Sequence, residues 1–242
     1  MGCDIHMWAE IRKRDKWEST GKVFVNEYYD SKREAKVDPD GYEWNAEKTY
    51  HPYSGRNYGL FGILADVRNG SGFAGCDLGD KKNIIAEPKG IPEDAGEKVK
   101  AKAFDYGEDG HSHSWFTLKE LLDFDWKQTA LLRGVVNPES YIEFKKKGKP
   151  QAYCGDVSGG CVEIIDNERM DDYIKSDTYK LVKKLEKNNN HGELLWHNSF
   201  YTKVEWEETY KESVGTHWFE VLKTLKKLGD PKDVRIVFFF DN

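Results

Sequence analysis

The chain of 242 residues has little cysteine and little proline, four and seven respectively. Its longest purely apolar stretch near the end, Ile236 to Phe240, falls far short of the ~20 residues that span a bilayer, so an integral membrane protein is excluded. Cys3, Cys76, Cys154 and Cys161 include no C-x-x-C pair, which argues against a zinc ribbon and against a disulfide framework. CGDVSGGC, between Cys154 and Cys161, offers two zinc ligands in a glycine-rich turn, but two more would have to come from elsewhere. Residues 1–10 lack the basic start and apolar stretch of a signal peptide, and His6 stands where a myristoylation site wants Ser or Thr; the expected location is the cytoplasm. Basic excess is also missing. Lys and Arg number 37 against 43 Asp and Glu, a formal net charge of −6, which argues against coating duplex nucleic acid and leaves room only for a local basic pocket. There is no P-loop, no G-x-G-x-x-G after a strand, no G-x-S-x-G and no H-E-x-x-H.

What is present is 38% hydrophobic and 14% aromatic, enough to bury a substantial core. Near the start, Cys3, Ile5, Met7, Ala9 and Ile11 alternate with Asp4, His6, Trp8 and Glu10, which predicts a strand over about 3–12 with two distinct faces. GKVFVNE at 21–27 reads as a returning strand, and 31–55 as a polar loop. Tyr58, Leu60, Phe61, Leu64 and Val67 recur at helical spacing after Arg56-Asn57. Residues 70–110 read as an ordered loop region. Thr117-Leu118-Lys119-Glu120 is a capping-box pattern that opens a helix over about 118–130. Further helices are predicted at 170–187 and 204–228, and Val234 to Phe240 is a buried strand. The expectation is a single α+β domain over 1–242. It has a mixed or antiparallel sheet carrying both terminal strands, packed helices and long loops.

Chemistry concentrates in the histidines. Asp4-Ile5-His6 and His111-Ser112-His113 each space two polar side chains by two residues, which on an extended chain puts both on one face roughly 7 Å apart. If Asp4, His6, His111 and His113 meet, they form a set suited to Zn or Mn with room for an activated water. Without a metal, His6, His111 and His113 can serve as acid and base, one imidazole taking a proton from a nucleophile and another protonating the leaving oxygen. Such a pair cleaves phosphodiesters through a neighbouring 2′-hydroxyl. The remaining alternative is structural, with His6 hydrogen-bonded in its strand and His111 and His113 as loop and cap residues. Arg56, beside a helix start, suits a phosphate or carboxylate, though a surface Arg and an Asn57 cap account for the pair as well. Trp115 suits stacking on a base or anchoring the core. Asp241 and Asn242 close the chain beside the terminal strand and emerge near Asp4 or at the opposite sheet end, according to strand direction. His217 is placed on an apolar stripe as a buried histidine, and His197 is open. The lysine runs at 145–147 and 183–184 are solvated faces or loops.

MGCDIH, GRNYGLFGILADVRNG, EPKGIP, DGHSHSWFTLKELLDFDW and the closing VRIVFFFDN together resemble an uncharacterised family of bacteriophage and prophage proteins. The resemblance spans most of the chain, leaves out the 150–200 region, and carries no known fold, activity or ligand. It implies expression in a bacterial host cell, and a shared site for Asp4, His6, Arg56, Asn57, His111, His113 and Asp241. On this basis two functions are expected. One is a phage hydrolase, a phosphodiesterase acting on a nucleotide or nucleotide-derived signal. The other is a non-catalytic protein that evades host defence by sequestering such a nucleotide or by binding a host protein. For the hydrolase and the sequestering protein alike, the ligand is a nucleotide or small phosphorylated molecule.

Overall fold

Every residue from Val234 to Phe240 is buried, because this run of β-formers lies at the interior of a sheet with both faces covered. The computed structural model describes residues 2–20, 51–188 and 199–241, which form an α+β fold with both terminal strands in one sheet. The 21–27 strand, most of the 31–55 loop, His197 and Asn242 lie outside the described residues. By its contacts the chain, read above as one domain, divides into two compact units: residues 1–69, 83–128 and 210–242, and residues 70–82 and 129–209.

In the first unit β1 (Asp4–Lys13), β2 (Lys16–Ser19), β3 (His111–Thr117) and β7 (Val234–Asp241) form an antiparallel sheet in the order β2-β1-β7-β3. β1 pairs with β7 so that Asp4 faces Asp241, His6 faces Phe239, Trp8 faces Val237 and Glu10 faces Arg235. One sheet face packs on α2 (Glu97–Tyr106), where Trp8, Val237 and Phe239 meet Val99, Ala103 and Tyr106. The opposite face carries Phe238 and Phe240, the latter against Phe61 of α1 (Tyr58–Ala65). Asn57 caps α1 by accepting from the Leu60 N–H, and the chain leaves the helix through Asp66 in the left-handed region.

Thr117 and Glu120 make the expected capping box at α3 (Leu118–Asp123), but this helix stops seven residues before the predicted end at 130. α2 falls inside the stretch read as loop. Its apolar face, Val99, Ala103 and Tyr106, is three residues wide and flanked by glycines and lysines, so the period is short.

In the second unit β4 (Thr129–Val136) pairs antiparallel with β6 (Ser199–Thr209), and β5 (Val162–Ile164) pairs parallel with β6. The start of the predicted 204–228 helix is therefore strand: Thr202, Val204 and Trp206 are buried while Lys203, Glu205 and Glu207 are exposed, a period of two. The helical remainder, α7 (Tyr210–Leu225), belongs to the first unit. It is broken at Gly215 (φ 74°), and its His217 is exposed against the Tyr53 ring rather than buried as expected. α4 (Pro138–Lys147) was not expected. The predicted 170–187 helix is two, α5 (Asn167–Lys175) and α6 (Asp177–Lys187), because Ser176 turns extended and caps the second. Among the described residues no helix is long and apolar enough to cross a membrane.

Candidate functional site

The β1–β7–β3 register sorts side chains on the α2-covered face into rows. Glu10 and Arg235 form the first, Trp8, Val237 and Trp115 the second, His6, Phe239 and His113 the third, and Asp4 and Asp241 the last. A face that alternates Asp, His, Trp, Glu in β1 thus runs from a buried ion pair, through an apolar middle, to an imidazole row and then a carboxylate row at the sheet end.

His111 and His113 do not share this face. The β3–β7 register shifts between His111 and Ser114, an extra residue being accommodated by Ser112 at φ 50°, a β-bulge with a non-glycine residue in the left-handed region. The spacing-of-two expectation assumed an unbroken strand. His113 instead stacks on Phe239 (centroids 5.0 Å), while His111 goes with Phe240 on the other face, its Nε2 3.9 Å from the Cys3 thiol. Burial pushes the Cys3 pKa up, which keeps it a protonated thiol rather than a nucleophilic thiolate. The backbone N–H of Cys3 donates to the Tyr58 hydroxyl.

His6 stacks on the other edge of the row, 4.9 Å from the Phe239 centroid, and is overlaid by Tyr106 of α2 at 4.4 Å. Its Nε2 is out of contact with solvent and makes no hydrogen bond, yet Asp241 Oδ2 is 3.5 Å away. The distance is that of an ion pair without hydrogen-bond alignment, so a small rotation of either group completes the bond. Nδ1 is then the nitrogen left for proton exchange. Burial, and after it the Asp241 and Asp4 carboxylates, raises the Tyr106 pKa, so its hydroxyl remains a donor.

Burial, and then the neighbouring His111, lowers the His113 pKa from the ordinary 6.5. Above pH 6.5 both folded and unfolded chains carry this ring neutral. As pH falls, the unfolded chain takes up the proton first, so the stability held above 6.5 is lost until pH passes below the folded value. His113→Gln is expected to flatten that part of the stability curve, read from urea midpoints at successive pH values. An unchanged slope would show that the fold does not disfavour the charged ring.

Asp4 stands opposite Asp241, and like charges directly across a strand pair repel. Arg56, just ahead of α1, answers this with a bidentate grip on Asp4, Nε to Oδ1 and Nη2 to Oδ2, both 2.6 Å. The hydrogen bonds from Arg56 hold the Asp4 carboxyl below its usual range, and Arg56 is raised in turn. A Cβ on Gly2 would press on the Arg56 guanidinium, which would have to shift to admit it. Arg56 is therefore committed to Asp4.

Asn57 uses both ends of its amide, accepting from Leu60 and donating to the Ser213 carbonyl. Trp115 packs in the apolar row with Lys89 4.3 Å from its ring centroid. Of the residues singled out by sequence, the structure gathers Asp4, His6, His113 and Asp241 at one end of one face, with Arg56 on Asp4. It sets His111 on the other face. No group of three or more His, Cys, Asp or Glu side chains among the described residues is placed to hold a metal ion. Sequence reasoning passed over Tyr106 and Phe239; the i, i+2 step from Phe239 to Asp241 is the signal that could have found the latter. No family model, curated protein or solved structure matches the chain.

Proposed function

We propose that the chain is a hydrolase working by histidine acid–base chemistry on a phosphodiester, with a nucleotide or nucleotide-derived signal as the substrate class. The phage setting comes from the sequence resemblance alone. The observation that carries the reading is the row His6–Phe239–His113 ending on Asp241, with His6 Nε2 3.5 Å from the Asp241 carboxylate. Two imidazoles on one face, one beside a carboxylate and one biased toward its neutral form, divide the labour of general acid and general base. His113 takes the proton of the attacking hydroxyl. His6, oriented by Asp241, gives its own proton to the leaving oxygen through Nδ1.

Charge supports a diester over a monoester: Arg56, held by Asp4, is not available to the second negative charge of a monoester dianion.

The test is incubation of the purified chain with cyclic and linear nucleotides, followed by chromatography before and after heat denaturation. Cleavage is expected for diesters flanked by a free 2′-hydroxyl and not for their 2′-deoxy counterparts. A ligand that stays bound and is recovered intact would give the sequestering function instead. Retention of none and cleavage of none would remove both.

A further inference from the structure

The second unit contains a cavity of about 280 Å³ between α4, α5, α6 and β6, outside every residue of the candidate site. Its walls include Tyr173, Tyr179 and Phe200, set edge to face: Tyr173 to Tyr179 with centroids 5.5 Å apart at 65°, and Tyr173 to Phe200 at 4.6 Å and 63°. Aromatic walls beside carboxylates are surroundings that suit an organic cation.

The charged residues lining it are Glu139, Glu186 and Lys183, one negative charge in excess. Lys183 Nζ sits 2.8 Å from Glu139 Oε1 and also bonds Glu186, so the chain's own ammonium already occupies the polar side. The Tyr179 hydroxyl donates to Glu139 at 3.1 Å; burial, and then that carboxylate, pushes its pKa up to about 12 and keeps the donor in place. An anion would meet two carboxylates. The phosphates of a nucleotide would meet the same two carboxylates.

We propose that this cavity binds a small organic ammonium of about choline's size, its methylated or methylene body against Tyr173, Tyr179 and Phe200 and its charge shared by Glu139 and Glu186. Lys183 acts as a tethered competitor for the same carboxylates. Because Lys183, Glu139 and Glu186 are each about half exposed, exchange of one ammonium for another does not require unfolding, and removal of any one leaves no charge stranded in the core.

The experiment is titration calorimetry of the full chain with choline and with its uncharged carbon isostere. Choline is expected to bind saturably to the wild-type chain, and the isostere about tenfold more weakly or not at all. Lys183→Met is expected to tighten choline about tenfold by removing the competitor, and Glu186→Gln to weaken it by a similar factor. Thermal melts verify that each variant is folded. Equal affinity for choline and isostere, absence of choline binding to both wild type and Lys183→Met, or a Lys183→Met variant that binds choline no more tightly than wild type would each overturn the proposal. Should Lys183→Met fail to fold, Lys183→Gln reads the same competition.

Discussion

Arg235→Met is expected to lower folding stability by about 3–5 kcal/mol, as for loss of one partner from a buried ion pair. Arg235 is 2% exposed and Glu10 fully buried, and the two are joined from Arg235 Nε and Nη2 to Glu10 Oε2 at 2.8 Å. Glu10 Oε1 accepts the Gly96 N–H at 2.7 Å, and Arg235 Nη1 reaches Asp94 at 2.8 Å. The guanidinium also lies 4.0 Å from the Trp17 ring centroid. Methionine keeps the aliphatic stem but leaves the Glu10 carboxylate in the interior with a single N–H donor. The double variant Glu10→Leu/Arg235→Met is expected to regain most of the loss, because exchanging a whole buried pair for apolar groups is near neutral. Urea denaturation of the wild-type chain and the two variants decides it. A single-variant loss below about 1 kcal/mol would show that the pair is solvated in solution despite its position.

The second large effect is on turnover. With a cleaved diester in hand, His6→Gln and His113→Gln are each expected to slow the reaction by about 10²–10⁴, the usual worth of a positioned acid or base. The two losses should differ in pH dependence. Wild-type activity falls at low pH as His113, already lowered from 6.5, becomes protonated and ceases to accept a proton, so His113→Gln removes the acid limb. His6→Gln slows turnover while leaving that limb in place. Asp241→Asn keeps the shape and weakens only the support of His6, so it should slow turnover less than His6→Gln while leaving the acid limb in place. Full activity in both histidine variants would place the chemistry elsewhere.

Parts of this architecture can be read from single stretches of sequence. The alternation Asp4, His6, Trp8, Glu10 assigns those four to one face because a strand has a period of two, and the buried run at 234–240 marks an interior strand because no polar residue but Arg235 interrupts it. Asn57 and Thr117 are legible as caps because each acts on backbone three residues away. The misreadings arise where a local pattern is weak or ambiguous. α2 shows only Val99, Ala103 and Tyr106 toward the sheet among lysines and glycines. In β6 the alternation at Thr202, Val204 and Trp206 runs straight into the helical spacing of Tyr210, Val214 and Trp218, so the two periods blur at their junction. Ser176 leaves no break in the hydrophobic pattern between α5 and α6.

By itself the sequence determined that the chain is α+β and that its first and last strands belong to a sheet, and it singled out the candidate site residues. All of these follow from short-range periodicity and residue type. Tertiary structure alone decided which of those residues meet. The antiparallel register brings Asp241 opposite Asp4 and Phe239 opposite His6, and one extra residue at Ser112 turns His111 away from His113. Register and bulge are set by hydrogen bonds between strands more than a hundred residues apart, and no local pattern encodes a one-residue slip that exchanges the faces of a sheet.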